Sequence, residues 1–350
     1  MSETRRRPKI ALDAMGGDFA PGEIVAGALL AATDVYADII LVGDEAQIRP
    51  LLKGPNASRV TLVHAAEAVP MDQNPSAALR SADRTSLGIA INMVRDGSAD
   101  AVVSAGNSGA FLAIALIRLR TIEGIARPAI ATVLPAISGP SVMLDAGANV
   151  DCRPEWLEQF AIMGSAYAIA VLRIPNPRVA LLSVGEERSK GNQQVIEAAK
   201  RLDEAPINFI GNIDGKDVLM NAADVIVTDG FVGNVVLKVA EGITSGLGRV
   251  LRNSLLKGSS LITRFGAFLV LPPLRRLRER YNYETYGGAP LLGLRGHCIV
   301  THGRANRTAL ASAVRAAADG VEADVNGKIA ALVAPHMARP VKDKIATPSD

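Results

Sequence analysis

Cysteine is nearly absent: the 350 residues include two, Cys152 and Cys298. That excludes a disulfide-stapled scaffold and fits a reducing compartment. Neither cysteine has a CxxC partner, so the usual framework for structural zinc is missing as well. Aromatic residues make up only 4% of the chain. Charge of one sign is not in excess either, with 38 Lys+Arg against 35 Asp+Glu and a formal net charge of +3. That balance is too near neutral to make nucleic acid the principal ligand. Long apolar runs are also lacking. The longest uncharged stretch lies between Asp100 and Arg118 and contains Ser104, Gly106, Asn107, Ser108 and Gly109, poor material for a membrane span. A buried strand followed by a buried helix accounts for it better. Arg5, Arg6 and Arg7 look like the start of a secretion signal, but Asp13 and Asp18 interrupt the stretch that would have to be its apolar core. A cytoplasmic protein is expected.

What is present is apolar residues, 49% of the chain, and 32 glycines. Short Val/Ile/Leu/Ala runs alternate with longer segments of helical period. Strands are predicted at Lys9–Ala14, Asp38–Val42, Val60–His64, Ala101–Ser104, Ala129–Leu134, Ser141–Asp145, Val179–Ser183, Ile207–Ile210, Val225–Thr228 and Ile299–Thr301. Several are continuously apolar, as strands covered on both faces are. Helices are predicted at Gly22–Ala32, Ser76–Arg95, Pro154–Leu172 and Gln193–Leu202, with Pro154 suited to a first turn. The βαβα rhythm predicts an α/β fold with an open, mostly parallel sheet between helical layers. Residues 1–340 read as one elaborated α/β catalytic unit, of one lobe or two, and residues 341–350 as a polar tail.

In such sheets ligands bind beyond the C-terminal strand ends. Here five predicted strands run into small, polar, glycine-containing turns: Asp13–Asp18, Ser104–Gly109, Asp145–Asn149, Ser183–Glu187 and Thr228–Asn234, with Thr301–Asn306 a weaker sixth. Each offers backbone N–H groups near an expected helix start, the geometry that binds anions. Glycine-rich βα turns are ordinary singly; their repetition points to a phosphate-bearing or anionic ligand. No GxGxxG, GxxxxGK[ST], GxSxG or HExxH string occurs, which disfavours standard dinucleotide, P-loop, hydrolase-elbow and zincin sites.

Around these turns, Gly16, Gly17, Gly106, Asn107 and Ser108 are candidate phosphate ligands, with the N–H groups of Gly106, Asn107 and Ser108 as the cradle. Ser108 would bind phosphate or cap the following helix. Lys190 would hold a phosphate or an oxyanion, or be a solvated lysine at a helix start. Asn234 would donate to an oxyanion or cap its helix. His302 would be a general base, a phosphate ligand or a structural histidine. Asp13 and Asp145 would orient neighbouring loops, because a carboxylate in direct contact would repel an anionic substrate. Ser104 and Asn149 complete the candidate binding set.

These turns, in this order, resemble the bacterial acyl-acyl carrier protein:phosphate acyltransferases. The matching strings run Ile10–Asp18, Ser104–Ala110, Leu144–Asn149, Gly185–Gly191, Phe209–Asn212, Thr228–Asn234 and Tyr286–Gly293, and the likeness spans about residues 9 to 320. It implies attack of inorganic phosphate on the thioester of a fatty acyl-carrier protein, yielding acyl phosphate for phospholipid synthesis. It also implies an α/β/α fold like that of phosphotransacetylases and isocitrate-dehydrogenase-type enzymes, a homodimer, and no metal or organic cofactor. Lys190 and Asn234 match family active-site positions. The residues suit that chemistry, since phosphate is already a nucleophile and needs only positioning and oxyanion stabilisation. Two rivals remain: a phosphotransacetylase-like enzyme using acyl-coenzyme A, and a non-enzymatic membrane scaffold, which would leave the glycine turns without a purpose.

Residues 249–280 break the rhythm. They read as helix, turn, helix, with eight Lys or Arg against Glu279 alone. Leu261, Phe265, Phe268 and Leu269 alternate with Arg264, Arg275 and Arg276 in a basic, apolar arm. Three roles fit it: packing in a dimer, dipping into an anionic membrane surface, and docking an acidic carrier protein. Membrane contact on the inner face would suit delivery of the product to a membrane-bound glycerol-3-phosphate acyltransferase.

Overall fold

The computed structural model describes residues 6–256 and 287–337. The α/β class holds, with the strands divided between two sheets. The first carries β1 (Lys9–Asp13), β2 (Asp38–Gly43), β3 (Val60–His64), β4 (Ala101–Ser104), β5 (Ala129–Ile130), β11 (Ala289–Leu292) and β12 (His297–Val300), in the order β3-β2-β1-β4-β12-β11-β5. Its first five strands are mutually parallel; β11 is antiparallel to both neighbours, so β5 runs the same way as β12. The second carries β6 (Thr132–Ala136), β7 (Gly139–Leu144), β8 (Arg178–Leu182), β9 (Asn208–Ile213) and β10 (Val225–Val227), in the order β6-β7-β10-β8-β9. Only the β6–β7 hairpin in it is antiparallel.

Helices cover both sheets: α1 (Gly22–Asp34), α2 (Glu45–Ile48), α3 (Pro75–Ser81), α4 (Ser86–Arg95), α5 (Ser108–Leu119), α6 (Pro154–Ala170), α7 (Gln193–Leu202), α8 (Gly230–Leu256), α9 (Arg307–Glu322) and α10 (Val325–Met337). The continuously apolar strands are buried as their composition requires: Ile10, Ala11 and Leu12 of β1 and all of β4 are inaccessible or nearly so. Phe111 and Ile114 of α5 and Phe160 of α6 fill the layers between helix and sheet. Each such side chain contributes about 1.5–3 kcal/mol by leaving water.

Three elements depart from the sequence expectation. The strand predicted at Ala129–Leu134 is two strands: β5 pairs with β11 and β6 with β7, so one apolar run serves both sheets. The helix predicted at Ser76–Arg95 is broken at Thr85, whose extended backbone and side chain cap α4 at the Gly88 N–H. Strand β11 has no counterpart in the sequence reading. Its Ala-Pro-Leu-Leu lacks β-branched residues, and one of its two partners, β5, is more than 150 residues away in the chain. Of the basic arm, residues 249–256 continue α8, while Leu261, Arg264, Phe265, Phe268, Leu269, Arg275 and Arg276 lie outside the described residues, as does the tail at 341–350.

Candidate active site

The first cluster sits where β1 and β4 lie side by side while their connections leave in opposite directions, the switch point at which open α/β sheets bind ligands. Asp13 ends β1 and is 2% exposed. Its Oδ1 accepts from Ser86 Oγ at 2.6 Å and from the Met15 N–H at 3.2 Å, and its Oδ2 accepts from Ser104 Oγ at 2.7 Å. Ser104 in turn accepts from the Gly106 N–H at 2.9 Å. Burial pushes the Asp13 carboxyl above the usual carboxylate range, against the pull of the serine hydroxyls. Asp13 therefore braces the turns after β1 and β4 from inside. Gly16 is obligatory here, because a Cβ at that position would overlap the Asp13 carboxylate and crowd the Gly106 N–H.

Asn107, not Ser108, caps α5. Its Oδ1 accepts from the Ala110 N–H at 3.0 Å, while its Nδ2 donates to the carbonyls of Met71 and Gln73, both at 2.9 Å. Ser108 is the first helical residue. The proposed cradle of three N–H groups is corrected to two, Asn107 and Ser108, because Gly106 spends its N–H on Ser104. The Gly17 turn lies against the loop after β12: the Asp18 N–H donates to the Gly303 carbonyl at 2.8 Å. This brings His302 to the same end of the sheet, exposed, with Nδ1 accepting from the Arg304 N–H at 3.1 Å.

The second cluster surrounds Asp145, which is inaccessible to solvent. The peptide bond leading into it is cis. Five N–H groups converge on its carboxylate: Ile130, Gly147 and Ala148 on Oδ1 at 3.0–3.1 Å, and the backbone and Nδ2 of Asn149 on Oδ2 at 2.7 and 2.9 Å. Burial raises the Asp145 carboxyl against these donors. The Asn149 Nδ2 also reaches the Pro128 carbonyl at 2.8 Å, and its own carbonyl accepts from the Gly230 N–H at 2.7 Å. Helix α8 starts hard against this turn: a Cβ on Gly233 would overlap the Asp145 carbonyl. Asn234 is not a cap. Asp229 caps α8 through the Val232 N–H at 2.8 Å, and Asn234 stands exposed in the first turns beside Gly147.

Lys190 lies in a third place, the loop between β8 and α7. Its backbone is held at both ends: its N–H donates to Glu187, and its carbonyl accepts from Ser183 Oγ at 3.1 Å. Its side chain is exposed and passes Gly185, with no ion pair among the described residues. Strands β7, β10 and β8 are parallel neighbours, so Asp145, Asn234 and Lys190 share one edge of the second sheet. Asp145 also binds Ile130 at the end of β5, which runs with β12, β4 and β1. The two clusters thus face the same way. Two of the expected anion turns, those after β4 and β10, run directly into helices; the others reach theirs through longer loops. Ser86 escaped the sequence reading because its link to Asp13 spans 73 residues with no local signal. Among the described residues no group of three or more His, Cys, Asp or Glu converges as a metal site would.

The model of a family described as fatty acid synthesis protein matches residues 8–328. A phosphate acyltransferase of Heliobacterium modesticaldum is 49% identical over 317 residues, covering 90% of this chain and 94% of the relative. One from Nostoc punctiforme is 47% identical over 327 residues, with coverages of 92% and 96%. This chain belongs to the phosphate acyltransferase family. It is an acyltransferase. The fold extends further: a phosphotransacetylase from Streptococcus pyogenes, 18% identical, superposes with a TM-score of 0.62 over 90% of this chain and 94% of its own. A 4-hydroxythreonine-4-phosphate dehydrogenase from Klebsiella pneumoniae, 13% identical, does so with a TM-score of 0.53 over 92% and 99%.

Proposed function

We propose that this enzyme transfers a fatty acyl group from the thioester of acyl carrier protein to inorganic phosphate. A phosphate oxygen attacks the thioester carbon and gives a tetrahedral oxyanion. The C–S bond then breaks, and the carrier thiolate leaves and takes up a proton. The opening of α5 carries this reading. The N–H groups of Asn107 and Ser108 begin a helix at the switch point, beside a turn that buried Asp13 and Ser104 hold rigid. A helix start of this kind stabilises an anion. Lys190, its backbone pinned and its ammonium free, neutralises charge on phosphate or oxyanion. Asn234 donates to the oxyanion, and His302 is placed to assist proton transfer or hold phosphate. Preorganised donors of this kind supply most of the barrier reduction in acyl transfer.

Acyl phosphate is reactive and amphiphilic, which suits release near a membrane. The basic, apolar sequence around Leu261–Leu271 would hold the enzyme, as a homodimer, against the inner leaflet, where a glycerol-3-phosphate acyltransferase would consume the product. Among the described residues no helix is long and apolar enough to cross a membrane. Incubation with inorganic phosphate and either acyl-carrier protein or acyl-coenzyme A, with hydroxylamine trapping of the product, tests the donor. Acyl hydroxamate should form from the carrier-protein donor at a rate at least about tenfold above the coenzyme A donor. Equal or faster reaction with coenzyme A would reassign the donor.

A further inference from the structure

At the opposite end of the first sheet, where β4 and β12 begin, an open cleft of about 520 Å³ is lined by Arg95, Arg118, Arg120 and Arg295, with Val94, Ile117 and Leu119 as its apolar walls. Two of these arginines have ordinary duties. Arg95 and Arg118 close the last turns of α4 and α5, where a cation complements the helix dipole, and each pairs with a carboxylate: Arg95 with Asp96 and Arg118 with Asp83, both at 2.8 Å. Arg120 and Arg295 are different. Both are exposed, and neither has a carboxylate partner among the described residues. They stand side by side, because the Arg295 N–H donates to the Arg120 carbonyl at 3.1 Å and the Arg295 Nε to the Thr121 carbonyl at 3.1 Å. The Nε bond fixes Arg295 and leaves its terminal nitrogens for a ligand.

The Arg120 backbone is the second observation. It ends α5 at φ 60°, ψ 170°, a region in which essentially only glycine is at ease. Glycine would close the helix without strain. Arginine does not, and it puts an unpaired guanidinium at the lip of the cleft. Backbone strain of this kind clusters at ligand and active sites.

We propose that this cleft binds the polyphosphate group of a small molecule, at a site separate from the acyl-transfer centre. The volume is in the range of small-molecule sites, and planar guanidinium groups match phosphate oxygens two at a time. Helices α4 and α5 tie the two ends of the sheet together: each begins at the Asp13 cluster, at Ser86 and Ser108, and ends in the cleft. Helix α5 spans about 18 Å at 1.5 Å per residue. The proposal does not rest on which acyl donor the enzyme uses.

The test is calorimetric titration of the intact enzyme with tripolyphosphate and with ATP, in low salt and with inorganic phosphate in excess to fill the acyl-transfer site. Binding of tripolyphosphate is expected. Equal affinity for both probes means the polyphosphate alone is read, and tighter ATP binding means a nucleotide. Arg120→Gly and Arg295→Gln should each weaken binding at least about tenfold. Arg120→Gly should keep or raise the melting temperature, since glycine adopts that backbone freely, so lost binding cannot be put down to unfolding. Lys190→Ala should bind the probes as the wild type does. Absence of binding by both probes, undiminished binding in both arginine variants, or loss of binding in Lys190→Ala would overturn the site.

Discussion

At the scale of single residues, Lys190 and His297 carry the sharpest consequences. Lys190 is an exposed cation on a fixed backbone, and no carboxylate among the described residues neutralises it. Lys190→Ala should lower acyl-phosphate formation at least about tenfold, a loss of roughly 1.4 kcal/mol of transition-state stabilisation, with the unfolding midpoint unchanged. Near-normal turnover in that variant would remove Lys190 from the mechanism. His297 opens β12, and burial lowers its imidazole to about 4 from an ordinary 6.5, against the weaker pull of Asp324 and Asp100. The unfolded chain takes up this proton near pH 6.5 and the folded chain only near pH 4. Its contribution is therefore complete above pH 6.5 and is lost as the pH falls toward 4, by up to about 3 kcal/mol. Urea unfolding across that range should fall less steeply for His297→Gln than for the wild type. Parallel pH profiles would show that His297 is not a source of acid lability.

At the scale of elements, α5 decides how well the site is formed. Its cap, Asn107, does two jobs with one amide: Oδ1 holds the first turn, and Nδ2 holds the Met71 and Gln73 carbonyls of the loop beyond β3. Asn107→Ala should cost about 1–2 kcal/mol of stability, raise the KM for phosphate, and open residues 70–74 to limited proteolysis. Asn107→Asp keeps the acceptor and loses the donor. It should restore the helix cap while leaving the loop open, which separates the two jobs. The elements were largely legible in the sequence. Strands β1, β3 and β4 and helix α7 are continuous or strongly patterned segments, and residues flanking them set their limits. The turn at Ser104 was legible as the end of a buried strand because small polar residues follow it. Its cap was not, because Asn107 and Ser108 both suit that position and only the backbone direction separates them. The split at Ala131 and the seat of β11 beside β5 were not legible either, since both depend on the β5–β11 pairing, whose partners are more than 150 residues apart in the chain.

At the scale of the molecule, Asp145 joins the two sheets. It directly follows β7 of the second sheet and holds the Ile130 N–H at the end of β5 in the first, while Asn149 extends the seam to Pro128. Removing its carboxylate would leave five converging, partly buried N–H groups without their acceptor. Asp145→Ala should therefore lower unfolding free energy by at least about 3 kcal/mol and abolish activity; a loss below about 1 kcal/mol would deny it this structural role. The same seam turns the Asp13 and Asp145 clusters toward one side of the molecule. The net charge of +3 says little about such a molecule. The informative charges are local: buried carboxylates at the turns after β1 and β7, an exposed lysine in the loop after β8, and arginines grouped at the far end of the first sheet. The central claim, phosphate as the acyl acceptor, is tested most directly by following 31P resonances and free thiol together during reaction of acyl-carrier protein with inorganic phosphate. The account predicts one acyl phosphate formed for each carrier thiol released. Thiol release without acyl phosphate, which would mean hydrolysis by water, would contradict it.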